Sequence, residues 1–175
     1  MISIQHPPRT LLEVYRMLPE GTRAELIDNT LYMSPAPKPR HQKIVYSLTG
    51  QFYLLLAKKK VGELYISPID VFLDSKNALQ PDLIFMQKGS SAVVKEDGIY
   101  GAPDLIIEVM SPGSKSFDLN EKKNQYEKNG VREYWTVDSK TKICSGFQLQ
   151  RGKYIALAKE KGKIISPLLK HTFNI

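Results

Sequence analysis

The chain contains a single cysteine, Cys144, in 175 residues. One thiol excludes an internal disulfide and any zinc site built from several cysteines, and it suits a reducing compartment. Histidine is nearly as scarce, with three in the chain, which argues against a nitrogen-lined metal cage. No apolar run approaches the roughly 20 residues that span a bilayer. The opening stretch MISIQHPPRTLLEVYRML lacks the charged start and apolar core of a signal peptide. There is no internal repeat and no interdomain linker. These absences predict one soluble, cytoplasmic domain over residues 1–175, with no membrane partner. Acidic residues are in deficit, 18 Asp and Glu against 25 Lys and Arg, for a net charge of +7. That excess fits a polyanionic partner and equally an ordinary soluble surface.

What is present is a clear succession of patterns. Thr10 and Glu13 form a capping box for a short helix over residues 10–18, with Leu11, Val14, Tyr15 and Leu18 on one face. AELIDNTLYMS reads as two short strands around an Asp28-Asn29 turn, and Pro35, Pro37 and Pro39 forbid regular structure beyond it. From His41 to about Ala57, Ile44, Val45, Leu48, Phe52, Leu55 and Leu56 form a helical stripe, with His41 at its first turn. ELYISPIDVFL, PDLIFM and DLIIEVMS are strands; the turn-prone DSKNALQ separates the first two, and a longer polar insertion precedes the third. FDLNEKKNQYEKNG is a helix, capped by Ser116 or Asp118 and ended by Gly130. EYWTVD, KICSGFQLQ and KYIALA follow as a meander of strands. From residue 41 the order is helix, three strands, helix, strand, a mixed α/β layer.

One strand carries an acid where an aliphatic residue is expected. Alternation puts Asp104, Ile106, Glu108 and Met110 on one face and Leu105, Ile107, Val109 and Ser111 on the other. An ionised carboxylate between Ile106 and Met110 is costly unless it is paired, hydrogen-bonded or bound to a cation. Ser111 and Pro112 place Glu108 near the strand's C-terminal end, where open α/β sheets hold ligands. Asp82, opening PDLIFM, lies beside Glu108 if the two strands are neighbours, and adjacent carboxylates repel unless a divalent cation holds them. Oxygen ligands with water suit Mg²⁺. The plainer readings are a structural ion pair at Glu108 and a solvated strand start or turn cap at Asp82. On the next helix, Leu119 and Tyr126 mark an inward stripe with Lys122 and Lys123 between them. Either both stems lie along apolar surface with their ammonium groups in water, or one lysine reaches the sheet to stabilise negative charge on a phosphate. Two carboxylates, a metal and a lysine are the parts of a phosphodiester hydrolase.

The stretches HQKIV, PDLIFM, APDLIIEVMSP and EKKNQYEKNGVREYWTVD together resemble the Uma family of restriction-endonuclease-like proteins, over most of the sequence. The resemblance implies the PD-(D/E)xK nuclease superfamily: a core of helix, three strands, helix and strand, and Mg²⁺-dependent cleavage of DNA, with Mn²⁺ as the alternative ion. By position it makes Asp82 the PD aspartate and Glu108 the acid of the second motif, both metal ligands. The superfamily's lysine two residues past the Glu is here Met110. The Uma-like frame D-x-x-x-K-x-x-x-Y, here Asp118, Lys122 and Tyr126, implies that Lys122 is the migrated lysine. Glu25, in AELID, resembles an early acidic residue of the pattern, either an extra metal ligand or a surface strand residue. His41, in PRHQK, matches the family's RHQ and either touches substrate phosphate or water or is a hydrogen-bonded structural histidine. Asp70 shares a strand face with Phe72 and has no assigned role.

The favoured expectation is a Mg²⁺-dependent DNA endonuclease with Asp82, Glu108 and Lys122 as catalytic residues. Met110 supports the alternative of an inactive, nuclease-like module that binds nucleic acid or protein. A purely structural interaction module leaves three inward charged residues unexplained. KKK at 58–60 and the lysines of KEKGK at 159–163 are phosphate contacts or solubilising surface, without the interleaved aromatics of a single-strand stacking platform. No helix-turn-helix signature indicates a target sequence. Cutting both strands with one small site favours a homodimer.

Overall fold

The computed structural model describes residues 7–111 and 115–175. Short-range signals set its first elements. In α1 (Leu11–Arg16), Thr10 accepts the Glu13 N–H at 3.2 Å, while Glu13 reaches back to the Arg9 N–H. The β1 (Ala24–Ile27) and β2 (Thr30–Met33) hairpin turns on Asp28 and Asn29, both at positive φ, a geometry these residue types tolerate. Pro39, expected in the irregular loop, is instead the first residue of α2 (Pro39–Lys59), where a missing N–H costs nothing.

Seven strands follow: β3 (Gly62–Ile66), β4 (Val71–Asp74), β5 (Asn77–Leu79), β6 (Leu83–Gln87), β7 (Val93–Lys95), β8 (Gly98–Tyr100) and β9 (Leu105–Met110). A helical stretch comes next, made of α3 (Lys115–Phe117), a π-helical turn (Asp118–Lys122) and α4 (Lys123–Asn129). Pro112, read as marking the end of β9, lies outside the described residues. The chain then forms β10 (Glu133–Asp138), β11 (Ile143–Gln150), β12 (Lys153–Ala156), β13 (Glu160–Lys161), β14 (Lys163–Ser166) and β15 (His171–Asn174).

The central sheet has the order β12-β11-β10-β9-β6-β3, and β9 with β10 is its one parallel pair along that path. Parallel neighbours need a crossover, and the α3–α4 stretch supplies it, which carries Lys122 across one face. A second sheet, β2-β1-β5-β4-β8-β7, absorbs segments that pattern alone misjudged. ELYISPIDVFL is two strands in different sheets, because Pro68 cannot donate to a ladder. The end of DSKNALQ is strand β5, and the polar insertion holds the β7–β8 hairpin.

Alternation along the central strands sorts two cores. Leu83, Phe85, Leu105, Ile107 and Val109 face α2, where Leu48 and Phe52 are fully buried. Ile84 and Ile106 face the second sheet and α4, against Leu79, Ile99, Tyr126 and Tyr134. Each such buried side chain contributes about 1.5–3 kcal/mol. The C-terminal hairpin β14–β15 closes the α2 side, with Phe173 stacked on Phe52 at 4.2 Å between centroids. Glu133 anchors this end: its buried carboxylate accepts the Trp135 indole N–H at 2.6 Å and the Leu168 N–H at 2.9 Å. Among the described residues no helix is long and apolar enough to cross a membrane.

Gly146 lies opposite Trp135 in the β10–β11 register, and a Cβ there would stand 2.5 Å from the indole ring. The glycine is the space the indole occupies. Gly146→Ala should cost about 1–3 kcal/mol through overpacking, read from urea unfolding; an unchanged midpoint would contradict this packing.

Candidate active site

Asp82 and Glu108 come together through strand register. Leu83 pairs with Ile107 across β6 and β9, so Asp82 stands opposite Glu108 one step further along. Asp82 Oδ2 accepts the Val109 N–H at 2.7 Å and lies 3.0 Å from His41 Nε2. An ionised carboxylate only accepts, so His41 Nε2 carries the proton. His41 Nδ1 is buried and has no partner among the described residues. Asp82 is 8 % exposed and Glu108 is 4 % exposed, so Asp82 is not a solvated strand start.

Lys122 arrives from the crossover. Its Nζ lies 2.8 Å from Glu25 Oε1, 3.1 Å from Glu108 Oε1 and 3.6 Å from Asp118 Oδ1. Burial disfavours the ammonium, but Glu108, Glu25 and Asp118 outweigh it and raise the Lys122 pKa well above the ordinary lysine value. Glu108 is pushed well up, by burial first and then by Asp118, Asp82 and Glu25, against the opposing pull of Lys122. The Tyr126 hydroxyl donates to Glu108 Oε1 at 2.8 Å, and burial foremost keeps that phenol protonated. Lys123 diverges, with its Nζ 4.4 Å from the Phe147 ring centroid. Of the two inward lysines, only Lys122 reaches the carboxylates.

The π turn makes this possible. Asp118 lies inside the helical stretch and is not its cap; with Lys122, four residues on, it faces the carboxylate cluster. One wide turn there changes the phase of the helix, and such turns recur at functional sites.

Glu25 is a buried member of β1 and not a surface strand residue; its Oε1 also accepts the Gln80 N–H at 2.9 Å. The Gln80 side chain donates to Asp70 Oδ1 at 2.9 Å, and the Tyr15 hydroxyl donates to the same oxygen at 2.6 Å. Asp70 therefore precedes β4 and braces Gln80, where pattern alone had set it within a strand. The second Pro-Asp pair is structural: Asp104 accepts from Arg132 at 2.9 Å and from the Gln87 N–H at 2.8 Å. Sequence reasoning missed the hydroxyl of Tyr126, the backbone of Gln80 and the buried carboxylate of Asp118. Only the i, i+4, i+8 spacing of Asp118, Lys122 and Tyr126 hinted at a shared face.

A cavity of about 150 Å³ opens here, lined by Glu25, His41, Asp82, Glu108, Asp118 and Lys122 among others. Among the described residues no three His, Cys, Asp or Glu side chains converge as a metal-holding group. Asp82 and Glu108 are the pair in register, and two carboxylates completed by water are a usual way to hold Mg²⁺. Lys122 and Tyr126 both use Glu108 Oε1, while His41 and Val109 both use Asp82 Oδ2, so one oxygen of each carboxylate stands outside these bonds. The donor set fits Mg²⁺ or Mn²⁺ and does not fit a zinc cage.

The chain is similar in fold to the crystal structure of "a putative nuclease belonging to DUF820" from Anabaena variabilis ATCC 29413, at a TM-score of 0.74 and 16 % identity, covering 93 % of this chain and 92 % of that one. No curated protein matches it. Residues 11–173 match the model of the Uma2 family, described as "Putative restriction endonuclease". The fold is the nuclease-like mixed α/β fold that the sequence predicts, and the protein belongs to the Uma2 family.

Proposed function

We propose that the protein is a Mg²⁺-dependent endonuclease that hydrolyses phosphodiester bonds of DNA. The observation that carries this reading is the Lys122 ammonium held at 2.8 and 3.1 Å from Glu25 and Glu108 beside Asp82. Asp82 and Glu108 would hold Mg²⁺ or Mn²⁺, which when bound supplies Lewis-acid activation of a phosphate and of water. Lys122, held among Glu25, Glu108 and Asp118, sets a positive charge where negative charge would grow on phosphorus oxygens. Tyr126 and Glu25 fix the Lys122–Glu108 geometry from two sides. His41 steadies Asp82 through its Nε2–H, while its Nδ1 is buried without a partner among the described residues. The burial of the cluster lowers the local dielectric and strengthens each of these charge interactions.

Met110 at the usual lysine position favours a second reading, a nuclease-like module that binds DNA without cutting it. Nicking of supercoiled plasmid in Mg²⁺ separates the two. Wild type should cut, and Lys122→Gln, Glu108→Gln or Asp82→Asn should lower the rate by about 100-fold or more. Wild-type binding without cutting would support the module, and variants within threefold of a cutting wild type would remove these residues from the mechanism.

Charge balance makes a separate prediction about stability. Lys122→Met leaves buried carboxylates uncompensated and should cost about 3–5 kcal/mol at pH 8. The folded-state pKa of Glu108 is already raised, and losing Lys122 raises it further. The folded variant therefore takes up a proton that its unfolded chain does not, and its deficit against wild type should shrink as pH falls from 8 to 5. Urea unfolding at both pH values reads this; a deficit that grows on acidification would contradict the sign.

A further inference from the structure

The surface of α2 away from the core carries an unusual combination. Lys43, Tyr46, Gly50, Tyr53 and Ala57 recur at alternating spacings of three and four residues, so they line one face, with Lys60 the left-handed residue that ends the helix. Tyr46 is 82 % exposed and Tyr53 is 71 % exposed, on a helix whose opposite side is fully packed. Two exposed aromatic rings two turns apart on one helix face make a candidate contact surface.

Charge identifies its class. No Asp or Glu occurs between Asp28 and Glu63, while Lys38, Arg40, Lys43 and the 58–60 lysines all fall in that interval. A second copy of this chain docked through α2 in either direction would set lysine against lysine with no acid to offset it. A polyanion meets no such penalty.

Place and spacing narrow it further. The first turn of α2 carries His41 on its inward stripe, and His41 and Lys38 line the site cavity, so the cavity lies at the N-terminal end of this helix while the tyrosine face runs along its other side. Seven residues separate the two tyrosines, about 10.5 Å along the axis, close to three stacked nucleotides at about 3.4 Å each. Gly50 lies between them although a Cβ there would meet nothing within 4 Å. Packing does not require that glycine, and it costs the helix about 1 kcal/mol relative to alanine. Its effect at the surface is a notch between two aromatic rings.

We infer that this face binds a single-stranded segment of DNA, with Tyr46 and Tyr53 stacking on bases and Lys43 and Lys60 contacting phosphates. The inference rests on the nuclease reading for the choice of DNA as the polyanion, but not for the binding itself. The lysine cluster at 58–60 seemed to lack interleaved aromatics because they lie on neighbouring helical turns and not beside it in the chain.

Fluorescence anisotropy of a labelled 12-nucleotide oligothymidylate, in EDTA so that no cleavage enters, tests it. Tyr46→Ala with Tyr53→Ala should weaken binding about thirtyfold, since each stack is worth about fivefold or more. The paired Phe substitutions should stay within about twofold of wild type. Lys43→Gln should reduce the slope of log affinity against log salt by about 0.7. Gly50→Gln should raise the melting temperature and yet weaken binding, opposite signs that a merely structural role would not produce. Undiminished affinity in the double Ala variant, or a wild-type dimer that this variant splits, would overturn the inference. Binding that falls as expected in a protein that cuts no DNA would leave this surface standing and remove the hydrolase.

Discussion

A single buried ammonium permits the site to exist. Glu25, Asp82, Glu108 and Asp118 are each less than a tenth exposed, and Lys122 contacts three of them. Carboxylates so placed repel and lose their hydration, and without a cation they take up protons or move apart. Glu108 already shows the tension, with its pKa driven up by burial and by its acidic neighbours while Lys122 pulls it back. Lys122 answers part of that charge, and the proposed divalent cation would answer more.

The rest of the fold delivers these groups to one place from separate elements. The antiparallel β6–β9 register sets Asp82 against Glu108, and β1 of the second sheet brings Glu25. The parallel β9–β10 pair forces a crossover, and the π turn within it presents Asp118 and Lys122 on one side. The supports are hydrogen bonds: Gln80 to Glu25, Tyr126 to Glu108, His41 and the Val109 backbone to Asp82. Geometry held this way is fixed before any ligand arrives, which is what electrostatic catalysis needs. α2 turns His41 inward to the cluster at its first turn and exposes Tyr46 and Tyr53 on its other side.

Much of this was legible in the chain. Glu108 announced itself as an acid in an apolar run, and strand alternation correctly put it with Ile106. The helical stripe of Leu119 and Tyr126 correctly turned Lys122 inward, and the order of elements matched the fold. What failed had local causes. Asp118 looked like a cap because a π turn leaves no mark in composition. Asp70 looked like a strand residue because a single Pro68 was too weak a signal to divide ELYISPIDVFL between two sheets. Gln80 acts through its backbone N–H, which every residue but proline has, so its type gave no warning. Tyr46 and Tyr53 share a face only through helical spacing, which a linear run of lysines does not reveal.

The central claim is that Asp82 and Glu108 hold a divalent cation beside the Lys122 ammonium. Anomalous diffraction from a crystal soaked in Mn²⁺ tests it most directly. The account predicts one strong peak bridging an oxygen of Asp82 and an oxygen of Glu108, with Lys122 still paired to Glu25. No peak between those two carboxylates, or a Lys122 side chain turned out to solvent, would contradict it.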